Sequence, residues 1–108
     1  MKIRIAGNSI RFRLQTIDLT ELVEKGKIIH TLDFGNGNGL DFKIETCKNG
    51  DSRIEIVGTE VIATVPGLIV SEWKGIESFS YSHSQETDEG KNINFLIENE
   101  LGCEHKGA

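Results

Sequence analysis

The side chains with the clearest chemical potential lie in the first fourteen residues, MKIRIAGNSIRFRL. This segment holds four basic residues, no acidic residue, and a serine next to a Gly-Asn pair. Ammonium and guanidinium groups bind phosphates and carboxylates, and arginine does so with two parallel hydrogen bonds. The candidate ligand-binding residues are therefore Lys2, Arg4, Ser9, Arg11 and Arg13.

Alternating apolar residues predict that this segment forms a β-hairpin. A glycine at the first position of Gly7-Asn8 suits a two-residue turn, which sets Ile3 opposite Phe12 on an apolar face. The other face then carries like charges directly opposite each other, which is unfavourable. We expect an anion there, either a ligand or acids of the same chain such as Glu21 and Glu24. Alternatively, this face packs on a helix and the basic head groups extend past their apolar stems to solvent.

Metal and phosphate chemistry are weakly indicated elsewhere. Cys103 and His105 are weak candidate metal ligands, with Cys47 and His83 as further donors. Zinc sites need three or four ligands, commonly in spaced pairs, so we expect no metal and no other cofactor. The glycine-rich stretch 35–39 leads into a strand pattern rather than into the helix of a phosphate loop, which favours a hairpin loop.

Catalysis has no motif to support it. His30 is in phase with the apolar residues Ile28 and Leu32, which is typical of a half-buried structural histidine. The sequence matches no serine or cysteine with a histidine and an acid. An enzyme is therefore the least favoured class, although a cleft holding His30 or His83 beside an arginine would favour it.

Two short helices are predicted. The first has Asp18 as its cap, or alternatively Thr16, and stops at Gly26, with Ile17 and Leu22 packing together at its start. The second begins with Pro66 as its first residue and stops at Gly75. Its predicted inward-facing residues are Leu68, Ile69 and Trp73.

The strand pattern between residues 27 and 65 predicts a continuous four-stranded antiparallel meander. Its turns lie at 35–39, at a three-residue loop 48–50, and at Gly58-Thr59. A last hairpin joins residues 76–83 to residues 91–98. The predicted cross-strand pairs in the meander are Phe34–Leu40, Leu32–Phe42, Ile44–Ile54, Phe42–Ile56 and Ile56–Val61.

These elements predict one α+β domain over residues 1–98, mostly of antiparallel strands, with a flexible tail at residues 99–108. The sequence allows a strongly curled sheet, an open barrel or two packed layers, and it does not decide among them. The formal net charge of −5 argues against general binding to nucleic acids or anionic membranes. Residues 1–14 nevertheless carry +4, so the remaining chain carries −9. Without an apolar leader segment, we expect reduced thiols and a cytoplasmic location.

The opening motif MKIRI-GNSIR-RL resembles that of a group of short bacterial proteins known as a domain of unknown function. Looser similarities follow at an FG turn near Phe34-Gly35, a Pro-led segment ending in tryptophan, and a late strand running into a lone cysteine. The resemblance implies a bacterial, cytoplasmic, single-domain protein. It implies no activity, so it assigns no functional residues.

Two functional classes follow from these patterns. In the first, the protein is a small binding module whose basic hairpin face holds an anionic small molecule or an acidic protein. This class predicts that Arg4, Arg11 and Arg13 are exposed, convergent and without acid partners in the chain. In the alternative, the arginines are neutralised internally and the protein acts through homo-oligomerisation, with an apolar patch or strand edge meeting a second copy.

Overall fold

A computed structural model describes residues 1–100 as an α+β fold, as predicted. The helices are α1 (Thr16–Lys25) and α2 (Gly67–Trp73). The strands that precede α2 are β1 (Lys2–Ala6), β2 (Ser9–Leu14), β3 (Lys27–Gly35), β4 (Asn38–Cys47), β5 (Arg53–Val57) and β6 (Glu60–Pro66). The last two are β7 (Ser80–Glu86) and β8 (Asn92–Asn99).

The strands form two four-stranded sheets rather than one curled sheet. The first sheet has the order β1-β2-β8-β7 and the second has the order β3-β4-β6-β5. Each sheet consists of two antiparallel hairpins whose inner strands run parallel to each other, β2 beside β8 and β4 beside β6. The sheets are therefore mixed, and neither closes into a barrel within the described residues.

The first hairpin forms as predicted. Ile3 lies opposite Phe12 and Arg4 lies opposite Arg11, with the chain turning at Gly7-Asn8. Phe12 is completely buried, which shows that the apolar face of this hairpin contributes to the core. The basic residues are consequently directed to the other face, because alternate side chains of a strand point in opposite directions.

The predicted antiparallel meander is wrong, because β6 lies between β4 and β5. Ala63 of β6 is paired with both Ile44 of β4 and Ile54 of β5. The predicted alignment of those two isoleucines is retained across the sheet, but they are not neighbours. Strand β6 has a run of four buried residues, 62–65, and a strand with both faces covered belongs inside a sheet.

The second hairpin also differs from its predicted register, by two residues. Asn36 and Gly37 both adopt positive φ, 56° and 76°, and form a two-residue turn in place of the five-residue loop. Asn-Gly is the sequence that favours such a turn. Leu32 therefore pairs with Leu40, and Phe42 pairs with His30. A shift of two residues leaves every side chain on its predicted face.

Helix α1 begins at Thr16 and its cap is Gln15, so both predicted caps, Asp18 and the alternative Thr16, are wrong. The Asp18 carboxylate accepts a hydrogen bond from the backbone N–H of Gln15 (2.8 Å) from a position within the first turn. Ile17 is 72% exposed, so the predicted contact with the buried Leu22 is wrong. Gly26 ends the helix in the left-handed conformation, as predicted.

In helix α2, Pro66 precedes the first residue, and Leu68 is 80% exposed rather than inward. Val70 is buried instead, and Trp73 is buried as predicted, stacked on Phe79 with ring centroids 4.7 Å apart. The last hairpin forms, although β7 starts four residues later than predicted. Strand β8 ends at Asn99, one residue beyond the predicted end of the last strand at residue 98.

The core lies between the inner faces of the two sheets and is closed at one end by the helices. One row across the second sheet, formed by Ile28, Ile44, Ala63 and Ile54, is buried throughout. In the next row, Phe42 is buried but both ends, His30 and Ile56, are exposed. The first sheet therefore covers only part of the second. In the described part of the chain, neither helix has the length and hydropathy needed to cross a membrane.

Candidate anion-binding cleft

The basic residues of the first hairpin line one cleft, with a volume of about 410 Å³. Arg4 and Arg11 are cross-strand partners on the face of the hairpin that points away from the core. The cleft lies along the edge strand β1 and also includes His30 of β3. The lining residues are Met1, Lys2, Ile3, Arg4, Arg11, Arg13 and His30.

Glu98 of β8 neutralises part of this basic face. It is the parallel neighbour of Arg13, so both side chains point to the same face of the sheet. The Nε of Arg13 donates to its carboxylate at 2.9 Å, and the Nε of Arg11 lies 4.0 Å from the same oxygen. The acid partner thus comes from β8 and not from Glu21 or Glu24, because β2 and β8 are adjacent only in the tertiary structure.

The start of the hairpin is held by two further ion pairs. Lys2 binds the carboxylate of Glu100, and the N-terminal amine of Met1 lies 2.9 Å from the carboxylate of Asp18. The hydrogen bond from Lys2 lowers the pKa of Glu100 below its ordinary value, and partial desolvation opposes that shift. These ion pairs connect the start of the chain to the end of β8 and to the first turn of α1.

The side chain of Arg4 is exposed and forms no ion pair or hydrogen bond with any residue between positions 1 and 100. Its cross-strand partner Arg11 has only the distant contact to Glu98 described above. Among residues 1–100, the carboxylates paired with this basic face, those of Glu98 and Glu100, are fewer than its four cationic side chains. In the same part of the chain, only the distant carboxylate of Glu98 offsets the unfavourable like-charge pairing of Arg4 with Arg11.

His30 lines the cleft although its sequence pattern does not predict a place at this site. The apolar phase of β3 predicts a half-buried histidine, but the first sheet does not extend over it and the side chain is exposed. A histidine beside arginines is the arrangement that would favour an enzyme. Among residues 1–100, no carboxylate, hydroxyl or thiol group lines the cleft beside His30.

Ser9, the fifth predicted residue, does not line this cleft. Its hydroxyl accepts a hydrogen bond from the side-chain amide of Asn94 (3.2 Å). It lies in a neighbouring depression of about 280 Å³ that shares Arg4 and Arg11 with the cleft. The two arginines are thus accessible from both sides.

The other candidate sites predicted from the sequence are the metal ligands and the glycine-rich stretch. Cys103 and His105 lie outside the described residues. Cys47 is a half-buried free thiol, and residues 1–100 contain no group of three potential metal ligands. The glycine-rich stretch forms the tight turn at Asn36 and leads into β4, which is not the geometry of a phosphate loop.

Fold and cleft together define a small α+β protein of two mixed sheets with a basic cleft at the edge of the first. The model of a family of unknown function, DUF7009, matches residues 1–108 of this chain. The chain therefore belongs to that family, which confirms the resemblance of its opening motif to a domain of unknown function. No curated protein and no solved structure matches the chain.

Proposed function

We propose that this protein is a non-catalytic binding module whose basic cleft holds a carboxylate or phosphate group of a small molecule or an acidic partner. The observation that carries the proposal is the pairing of Arg4 with Arg11. Arg4 has no acid partner among residues 1–100, and the nearest acid to Arg11 is shared with Arg13. A bound anion would relieve the repulsion between the two guanidinium groups.

The cleft has the size and chemistry expected of a ligand site. Its volume of about 410 Å³ lies within the range of small-molecule pockets, which combine apolar walls with a few polar groups. Met1 and Ile3 supply the apolar surface here. Hydrogen bonds that involve a charged group contribute about 1.5–3 kcal/mol each, so losing one guanidinium should weaken binding about tenfold or more.

The test is the thermal unfolding temperature in phosphate against chloride at matched ionic strength, for the wild type and Arg4→Gln. Arg4 is the residue to change because its removal breaks no ion pair in the described chain. Ligand at a hundredfold excess over its dissociation constant stabilises the native state by about 2.7 kcal/mol. We expect phosphate to raise the unfolding temperature of the wild type and to raise that of Arg4→Gln much less.

The matched control is Arg53→Gln, which removes the same charge from β5 of the second sheet. This variant should respond to phosphate as the wild type does. Sulfate and phosphate also strengthen apolar burial in every protein. An equal shift in all three proteins would be that general effect and would remove the support for an anion site.

A second candidate function, homo-oligomerisation, is favoured by a separate observation. The inner face of the second sheet continues beyond the first sheet and exposes Leu32 and Ile56, the latter by 69%, with Phe34 exposed near the hairpin turn. Ile5 of β1 is exposed at the same end of the core, beside a small apolar pocket of about 160 Å³. An apolar surface such as this one meets a second copy without like-charge repulsion.

Sedimentation equilibrium of the wild type and Phe34→Ser tests this candidate. A dimer that dissociates in the variant would support it, and a wild-type monomer at every concentration would exclude it.

The proposal also includes a location in the bacterial cytoplasm, which the resemblance of the opening motif supports.

A further inference from the structure

The cleft contains a second recognition feature, which is the free edge of β1. Strand β1 is the outermost strand of the first sheet, and within the described chain only β2 pairs with it. In a hairpin closed by two residues, the pair next to the turn exchanges both hydrogen bonds and the pairs then alternate. Ala6–Ser9 and Arg4–Arg11 are therefore the bonded pairs. Ile3 and Ile5 consequently direct their backbone N–H and C=O groups away from β2.

A small anion would leave these backbone groups unused, whereas an extended peptide would pair with them. In such a peptide, the residue opposite Arg4 would face the two guanidinium groups of Arg4 and Arg11. Its two neighbours would pair with Ile3 and Ile5 and point their side chains to the opposite face. That face is the apolar side of the hairpin, since Ile3 packs against the core and Ile5 is an exposed isoleucine.

The charge on β1 argues against a second copy of the same strand. A two-fold symmetric pairing of β1 edges runs antiparallel, and centring it on Ile3 sets Lys2 opposite Arg4. Like charges directly opposite are destabilising, and basic residues on edge strands are a known protection against self-pairing. The same charges attract an acidic strand.

We propose that the ligand of this cleft is an extended acidic segment of another protein, which adds to β1 as a fifth strand of the first sheet. Acidic residues of that segment alternate with apolar ones, so that a carboxylate meets Arg4 while the flanking residues bond to Ile3 and Ile5. This inference rests on the proposed anion-binding function and specifies its ligand class.

The test is a titration of isotopically labelled protein with the peptide acetyl-Glu-Val-Glu-Val-Glu-amide, followed by amide NMR shifts and hydrogen exchange. We expect the amides of Ile3 and Ile5 to shift and to exchange more slowly in the complex. A second peptide is N-methylated at both valines, which removes the donors that would pair with β1 while keeping every charge. It should bind about tenfold more weakly. The Arg4→Gln variant should weaken the unmodified peptide, and Arg53→Gln should not.

Each outcome separates the inference from the function on which it rests. Equal binding of the two peptides would overturn the strand pairing. Stabilisation by phosphate without binding of either peptide would keep the anion site and overturn the peptide as its ligand. Failure of both probes would overturn both proposals. A dilution series that shifts the amides of β1 without peptide would assign this edge to a second copy and overturn the inference.

Discussion

The side chain of Gln85 in β7 forms the hydrogen bonds that a neighbouring strand would form with the backbone of Ile54 in β5. It therefore joins the two sheets. Its side-chain oxygen accepts a hydrogen bond from the backbone N–H of Ile54 (3.0 Å), and its side-chain nitrogen donates to the Ile54 carbonyl (2.9 Å). Ile54 is buried and β5 is an edge strand, so its outward backbone groups have no strand partner within the described chain. We expect Gln85→Met, which keeps the length and apolar packing of the side chain, to leave both groups unpaired.

The expected loss follows from the number of bonds. A hydrogen bond contributes a net of about 1 kcal/mol, so the substitution should lower the free energy of unfolding by about 2 kcal/mol. For a chain of this size that corresponds to a fall of about 8 °C in the unfolding temperature. Urea denaturation followed by circular dichroism measures the free energy, and an unchanged urea dependence would confirm that only stability is altered.

The matched control is Ser84→Ala, at the exposed neighbouring position on the opposite face of β7. This control should change the free energy of unfolding by less than about 0.5 kcal/mol. If Gln85→Met is no more destabilised than the control, the two hydrogen bonds do not hold the sheets together and the reasoning is refuted.

Three further predictions concern the ends and the core of the fold. Because the pKa of Glu100 is lowered, its ion pair with Lys2 stabilises the protein at neutral pH, and this stabilisation is lost as the pH falls through that pKa. In an NMR titration, Lys2→Met should raise the pKa of Glu100 toward its ordinary value. Gly26→Ala should destabilise by about 1–2 kcal/mol in thermal unfolding, because φ is 79° and the added Cβ would lie 3.2 Å from a threonine hydroxyl. Ile44→Val should cost about 1 kcal/mol in urea denaturation, whereas Ile56→Val should cost less than about 0.5 kcal/mol, although both isoleucines lie on the inner face of the second sheet.

Local patterns determined those features that depend on residues close in sequence. The first hairpin follows from the alternation around Gly7-Asn8, and its register is correct at every pair. The end of α1 at Gly26 and the turn at Gly58-Thr59 follow from similar short-range signals. In each case the turn or cap chemistry admits few alternatives, so the sequence was sufficient.

Tertiary structure decided which strands became neighbours. The matched registers of Ile44 and Ile54 predict direct pairing, but those registers are satisfied equally well with β6 between the two strands. Side-chain periodicity reports which face a residue occupies and not which strand lies next to it. A local pattern therefore does not predict the parallel pairing of β4 with β6.

The candidate site also has features that the sequence determined and features that only the tertiary structure decided. The sequence by itself determined that four basic side chains share one face of a rigid hairpin, because alternation and the turn require it. Only the tertiary structure decided their electrostatic state, since Glu98 reaches the arginines through the long-range pairing of β2 with β8 and Arg4 is left without an acid among residues 1–100. It also brought His30 to the cleft, because the extent of one sheet over another depends on packing between elements far apart in the chain.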